Sequence, residues 1–248
     1  MAFRQKLACN VSPILLRLLL ALVFLWAGLG KVVEKDFEVT SENARTLVDW
    51  GVVSEDDVRH LLPPSAMGAG PSIILAQDTD APPATGKPVK VQRLYSMSVM
   101  LRTVSSPGKF PDDHDRAGQD KMPLAPAFAG KDKTPIYLAW AVALTEIFAG
   151  GFMLLGFLTR ISALGLVGVM LGAVWLTEIG PAIQSGSTML GFLPKRDMFS
   201  GVWMQLFFQL SMLLGALAVF FSGPGALSLD RLLFGGGRPV TSGDAKGE

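Results

Sequence analysis

The stretch TEIFAGGFMLLGFLTRISALGL, residues 145–166, contains the end of one long apolar run, a short polar connection and the start of a second apolar run. The runs cover 136–158 and 161–176, and only Thr159 and Arg160 separate them. An apolar helix of about 20 residues crosses a hydrocarbon core of about 30 Å, and so short a connection makes two such helices run antiparallel. The stretch therefore predicts a membrane-spanning helical hairpin.

Two further apolar runs, 14–33 and 203–221, complete a set of four predicted spans. The first run could instead be a signal peptide, but its length and the arginine at position 17 argue against that. We therefore predict an all-α membrane protein, a bundle of four transmembrane helices with a loop-rich, partly helical insertion. The predicted segments are 1–33 (N-terminal tail and first span), 34–134 (insertion), 135–234 (remaining spans and an interfacial tail helix) and 235–248 (a disordered C-terminal tail).

The composition narrows the partners and cofactors. Half of the residues are hydrophobic and the formal net charge is only +1, so the basic excess typical of a nucleic-acid binder is absent and lipid is the expected partner. The single cysteine is Cys9, and the two histidines, His60 and His114, lie outside the apolar runs. We therefore expect no metal, and no haem or iron–sulfur cluster held by this chain's own ligands. A homo-oligomer remains compatible with the sequence.

The insertion contains two predicted short helices, TSENARTLVDWGVV (40–53) and SEDDVRHLLP (54–63), with Ser54 as the cap of the second. The segment VQRLYSMSVMLRTV (91–104) fits either a helix or a strand, and we favour an amphipathic helix. The apolar stripe of this helix would be Leu94, Met97, Leu101 and Val104. We expect the loop-rich insertion to cap the bundle rather than to bury a sizeable core of its own.

The distribution of lysine and arginine gives an orientation. Basic residues precede the first span, Arg160 lies between the second and third spans, and Arg231 follows the fourth. Four spans place these positions on one side, which the positive-inside rule assigns to the cytoplasm. Both termini of this inner-membrane protein are then cytoplasmic and the insertion 34–134 is exoplasmic, although the basic pair at 195–196 opposes this assignment.

Three ionisable residues lie at membrane depth. Counted along the helices from the predicted cytoplasmic side, Arg17, Glu146 and Lys31 are about 5, 18 and 26 Å deep. A charge near the bilayer centre costs about 2.5–3.5 kcal/mol on insertion scales, so we expect Glu146 to be buried and to meet a cation of the first span. Two interpretations remain open: a buried ion pair or hydrogen-bonded carboxyl that fixes helix register, and a carboxyl that accepts protons or contacts a ligand. Arg17 and Arg160 are expected to extend toward the headgroups.

Other polar residues lie in the outer halves of the spans. Gln205 and Gln209 are four residues apart and share a helix face. The stretch TEIGPAIQSG, 177–186, is expected to break the third span at its outer end, with Glu178 at the boundary. Our hypothesis is one ligand or proton pocket. Its members would be Glu146, Lys31, Arg17, Gln205, Gln209 and Glu178.

Three stretches, RLLLALVFLWAGLGK (17–31), the opening stretch 145–166, and GPGALSLDRLLF (223–234), together resemble the DoxX family of small four-helix membrane proteins. The resemblance implies a link to quinol oxidase and thiosulfate:quinone oxidoreductase subunits, and hence a quinone ligand and a partner oxidoreductase subunit. It supplies no agreed catalytic residues, so whether the chain is an enzyme stays open. Asp230 and Arg231 in the third stretch are expected to pair with Arg160 at the cytoplasmic face.

The hypothesis that follows is a subunit or accessory of a quinone-linked membrane redox system, with an intramembrane polar pocket around Glu146. One alternative is a small-solute or ion permease, which would need a continuous polar path and often an inverted repeat that the sequence does not display. The other is a structural or assembly protein that docks a partner through its insertion. The insertion itself departs from the compact members of the family.

Overall fold

The computed structural model describes residues 3–62, 88–110, 116–197, 201, 203–225 and 228–234, without the side chains of 3–10, 231 and 234. Four helices within this part are long and apolar enough to cross a membrane: Val11–Val33, Thr134–Leu155, Thr159–Ser185 and Trp203–Ser222. The prediction of an all-α protein with four spans is confirmed. The predicted tail 235–248 and His114 lie outside the described residues.

The described elements follow one another in the order α1 (Phe3–Val33), β1 (Phe37–Glu38), α2 (Ser41–Asp49), α3 (Glu55–Val58), β2 (Lys90–Val91), α4 (Leu94–Ser105), α5 (Thr134–Leu155), α6 (Thr159–Val174), α7 (Gly180–Ser185), β3 (Thr188–Met189), β4 (Leu193–Pro194), α8 (Trp203–Ser222) and α9 (Leu229–Phe234). Short 3₁₀ turns lie at Arg59–Leu61 and Ala127–Gly130, and a π-helical segment covers Trp175–Ile179.

The chain divides into two compact units. The first comprises Met1–Ala27, Leu144–Glu178 and Lys195–Glu248, and it contains parts of α1 and α5 together with the whole of α6, α8 and α9. Its buried core takes side chains from α1, α5, α6 and α8, as a bundle requires. The buried members are Leu20, Ala21, Phe24, Ala149, Met153, Ala163, Leu166, Val167, Met212, Leu213, Ala216 and Val219.

Small residues let the helices of the first unit approach closely. A Cβ at Gly150 of α5 would lie 3.0 Å from the backbone nitrogen of Leu25 in α1, so glycine is needed where these two helices meet. A Cβ at Gly165 of α6 would lie 3.3 Å from the side chain of Thr145 in α5. The first and second spans are therefore neighbours, as the pairing hypothesis for Glu146 requires, and the second and third form the predicted hairpin.

The second unit, Gly28–Ala143 with Ile179–Pro194, contains the insertion. Strands β1 and β2 pair antiparallel, with Phe37 opposite Val91, and both predicted short helices are present as α2 and α3. The amide oxygen of Asn43 accepts a hydrogen bond from the Thr40 backbone N–H at 2.9 Å, which supports the start of α2. Ser54 is the N-cap residue of α3, but its side chain makes no capping hydrogen bond.

The expectation that the insertion buries no sizeable core of its own is wrong. The strand pair and the two short helices enclose an apolar cluster around the buried ring of Trp50, whose indole N–H donates to the Asp132 carbonyl at 2.9 Å. Long-range strand pairing closes this cluster, and such pairing leaves little trace in a loop-rich sequence. The buried members are Val39, Ala44, Leu47, Trp50, Val58 and Val91.

The favoured helix over 91–104 is present as α4, but its buried face differs from the predicted apolar stripe. Leu94 and Leu101 are buried with Ser98 and Ser105, while Met97 and Val104 are only partly buried. Both serine hydroxyls donate to carbonyls of their own helix, which satisfies them without a partner elsewhere. This face packs closely against the 3₁₀ turn Ala127–Gly130, where a Cβ at Gly130 would lie 2.7 Å from that of Ser105.

The prediction of a break in the third span is also wrong. The helix passes from α6 through the π segment Trp175–Ile179 into α7 and ends only at Ser185. Pro181 has no N–H, and its ring conflicts with the carbonyl of Thr177 in a regular α-helix. The wider π turn just before the proline relieves that conflict, so the helix continues through it.

Candidate functional site

Glu146 lies in the middle of α5 and is 2% exposed. Twelve residues of helix, about 18 Å, separate it from the first residue of α5, so the carboxyl is close to the midpoint of the span. It is one helical turn from Gly150, where α5 packs closely against α1. The predicted burial of this acid within the bundle is confirmed.

Arg17 is one of the two cations of the first span that could meet Glu146, and its described contacts lie farther along α5. Arg17 is 3% exposed, and its Nε donates to the Met153 carbonyl at 3.1 Å, while Nη1 donates to the Pro224 carbonyl. Met153 is seven residues beyond Glu146, or about 10 Å along α5. Lys31 lies in the last turn of α1 and is partly buried, and its pairing with Glu146 stays a prediction.

The expectation that Arg17 extends toward headgroups is wrong for a clear physical reason. The last carbonyls of a helix lack intrahelical donors and carry partial negative charge. Arg17 occupies this position at the end of α5, where Gly156 turns the chain with a φ of +66°. A Cβ at Gly156 would lie 2.8 Å from the Arg17 Cζ, so glycine makes room for the guanidinium.

Asp230 caps the start of α6 from the other end of the chain. Its carboxylate accepts hydrogen bonds from the backbone N–H groups of Leu158 and Thr159 at 2.7 and 2.9 Å. Its own N–H donates to the Gly156 carbonyl at 3.0 Å, and the Arg17 guanidinium packs against the same glycine. The α5–α6 turn, α9 and α1 are thereby joined at one polar junction.

This junction corrects the predicted pairing of Asp230 with Arg160. Both oxygens of the Asp230 carboxylate accept hydrogen bonds from backbone N–H groups. They take the place of a side-chain cap for α6, because its N-cap residue, Leu158, has a left-handed backbone and provides none. Arg160 is exposed and lies beside Gly223. Arg231 belongs to α9, and its side chain lies outside the described part of the chain.

A second acid, Glu178, is buried in the π segment rather than hydrated at a boundary. It is 2% exposed, and its Oε2 lies 2.8 Å from Nη2 of Arg196, whose side chain is 22% exposed. Arg196 comes from the segment between β4 and α8 and was not among the predicted site residues. The positive charge of Arg196 indicates that it could pair with an acid, but its spacing in the sequence does not indicate which acid it meets.

The two glutamines of the fourth span, Gln205 and Gln209, differ in burial. Gln209 is buried, and its Nε2 donates to the Thr177 hydroxyl at 3.0 Å, which itself donates to the Ala173 carbonyl at 2.9 Å. Gln205 is exposed. Residues four apart differ by about 40° around a helix, and here that is enough to place one inside and the other outside.

The structure does not gather the predicted residues into one pocket. Thr145 contacts α6 at Gly165, so Glu146 is level with this part of α6. Glu178 follows Gly165 by 13 residues, about 20 Å of helix axis. Among the described residues, the first unit therefore has three polar sites at different heights along its helices: the mid-span carboxyl, the Arg17–Asp230 junction, and the π-turn pair with Thr177 and Gln209 beside it.

Part of the chain matches a family model, and a longer part matches a relative of known sequence. The DoxX family model matches residues 117–179. The resemblance to the DoxX family is confirmed. The uncharacterised membrane protein Rv3486 of Mycobacterium tuberculosis is 39% identical over 127 residues, which cover 51% of this chain and 64% of that protein. No solved structure matches the chain.

The DoxX match covers α5, α6 and the π segment, together with the end of the insertion. It therefore includes both buried acids, Glu146 and Glu178, and the hairpin that joins the second and third spans. Arg17, Asp230 and Arg196 lie outside it, although each contacts a residue within or next to the matched helices. With four helices apolar enough to cross a membrane, this is an integral membrane protein embedded in lipid, and it resembles the DoxX family.

Proposed function

We propose that this DoxX-type protein is a subunit or accessory of a quinone-linked membrane redox system, and that Glu146 contacts the quinone. The observation that carries the proposal is the burial of this carboxyl at 2% exposure in the middle of a span. An ionisable group at such depth is costly, and intramembrane acids usually mark a ligand site or a proton path. Its position between neighbouring helices suits a ligand that enters from lipid.

The chemistry of a carboxyl fits this ligand class. When protonated, Glu146 can donate a hydrogen bond to a ring carbonyl, and when ionised it can accept one from a ring hydroxyl. A bound quinone would supply two-electron, two-proton redox chemistry in the membrane. The role of the chain is then to hold and orient the ring, to exclude water, and to store or release a proton at the Glu146 carboxyl.

The electron route lies outside this chain in our proposal. With one cysteine and two histidines, the sequence offers no thiolate set or intramembrane histidine pair for a redox centre. We therefore assign electron transfer to a partner oxidoreductase subunit. We also assign both termini to the cytoplasmic side of the inner membrane and the insertion to the outside, on the positive-inside distribution.

Replacing Glu146 with glutamine is expected to lower the quinone retained by the purified protein roughly tenfold, because the neutral amide replaces the stronger hydrogen bond of an ionisable carboxyl with one that is about 1.4 kcal/mol weaker. The measurement is extraction and chromatography of quinone from protein purified in lipid nanodiscs, normalised to protein. Glu55→Gln, which changes an exposed acid of α3, is the matched control and should retain quinone like the wild type.

Equal quinone in Glu146→Gln and in the wild type would contradict the proposed contact. Wild-type protein without any quinone would favour the alternatives, a small-solute or ion permease or an assembly protein. The assembly alternative has one specific feature in its favour, an open groove of about 500 Å³ between α2 and α4 in the second unit. Co-purified proteins identified from the same preparation would then be the decisive observation.

A further inference from the structure

The hairpin β3–β4 has an apolar tip. Thr188 pairs with Pro194 and Met189 pairs with Leu193. The residues between the strands are Leu190, Gly191 and Phe192, so the turn contains no polar side chain. Leu190 is 79% exposed and Phe192 is 51% exposed. Turns that face water are usually built from Gly, Asn, Asp, Ser and Pro, and here only Gly191 belongs to that set while two large apolar side chains flank it.

The backbone conformation at the tip is also unfavourable for the leucine at position 190. Leu190 has a φ of +57°, in the left-handed region that glycine and asparagine adopt with least strain. In water an asparagine would suit this position better in both conformation and polarity. The leucine therefore carries local strain and exposes apolar surface, and an apolar environment around the tip would compensate for both.

We infer that the β3–β4 tip inserts into the interfacial region of the bilayer that the third span crosses. The hairpin follows directly after this span, because α7 ends at Ser185 and β3 begins at Thr188. The span Thr159–Ser185 has 27 residues and is about 40 Å long. This exceeds the hydrocarbon core by about 10 Å, so the helix end and the hairpin lie at headgroup level.

The base of the hairpin is held in place by the insertion. Arg116 Nη2 donates to the Gln184 carbonyl at 2.6 Å, at the C-terminal end of α7. The Gln184 side chain in turn donates to the Met122 carbonyl at 2.6 Å. The hairpin thus extends from a tethered helix end, and its apolar tip gives this part of the insertion an anchor in lipid.

A nitroxide label at Phe192→Cys, in a Cys9→Ser background in nanodiscs, tests this inference by power-saturation EPR. The label is expected to collide more with lipid-soluble oxygen than with a water-soluble nickel chelate. A label at Ser54→Cys, in the exposed insertion, should give the opposite ratio. Adding Leu190→Asn, which suits the left-handed turn, is expected to shift the label at position 192 toward the nickel reagent without unfolding the hairpin.

Each other outcome overturns the assignment. Nickel accessibility at position 192 equal to that at 54 would place the tip in water. Protection from both reagents would place it against protein, in another copy or a partner. A ratio that Leu190→Asn leaves unchanged would remove Leu190 as the anchoring residue.

Discussion

Replacing Asp230 with alanine is expected to destabilise the protein by about 2–4 kcal/mol, the combined loss of two hydrogen bonds to a charged acceptor. The carboxylate is the cap for the first two N–H groups at the start of α6, and Leu158 provides no substitute. These donors lie at a packed turn beside the buried Thr159, so water replaces the lost acceptor poorly. The transition measured by tryptophan fluorescence in detergent should fall by roughly 5–15 °C.

Two variants give this prediction its controls. Asp230→Asn keeps one acceptor oxygen without the charge and should lose about half as much stability. Asp49→Ala removes an exposed aspartate at the end of α2 and should melt close to the wild type. A melting temperature for Asp230→Ala that matches Asp49→Ala would show that the cap does not support the α5–α6 turn.

Replacing Arg196 with methionine is expected to cost about 3 kcal/mol, because the Glu178 carboxylate would stay buried without its cation. Breaking a buried ion pair from one side typically costs 3–5 kcal/mol. The lower end applies here since Arg196 is partly exposed. The free energy of unfolding in detergent measures the effect, and Lys195→Met, the exposed basic neighbour, is the matched control.

The double variant separates the ion pair from general packing. Arg196→Met combined with Glu178→Gln removes both charges, and it should recover most of the stability that Arg196→Met loses. The coupling between the two positions is therefore the quantity of interest. Additive losses, with the double variant the least stable of all, would mean that Glu178 and Arg196 do not act as a pair.

The spans and the burial of Glu146 could be predicted from sequence because one strong effect decides both. Removing a helix of apolar side chains from water outweighs local detail, so hydropathy located all four spans. The cost of a charge in lipid likewise allows Glu146 few positions other than the inside of the bundle. Neither inference depends on knowing which distant residues meet.

The partners of the charged residues could not be predicted, since they depend on contacts between distant parts of the chain. Arg17 meets carbonyls at the end of α5 and in the turn after α8, and Asp230 meets backbone donors of α6. Backbone groups have no sequence signature, so opposite side-chain charges were paired instead. The continuation of the third span through Pro181 could not be predicted for a related reason. Whether a proline breaks a helix or is accommodated by a π turn depends on the packing around it.

The contact between Glu146 and a quinone is tested most directly by the infrared C=O stretch of the Glu146 carboxyl. This band is obtained in nanodiscs as the difference between wild type and Glu146→Gln, with and without a short-chain quinone. A carboxyl that donates a hydrogen bond to the added ring should shift its band to lower wavenumber, and the shift should be absent from Glu146→Gln. A wild-type band that quinone leaves unchanged would contradict the proposed function.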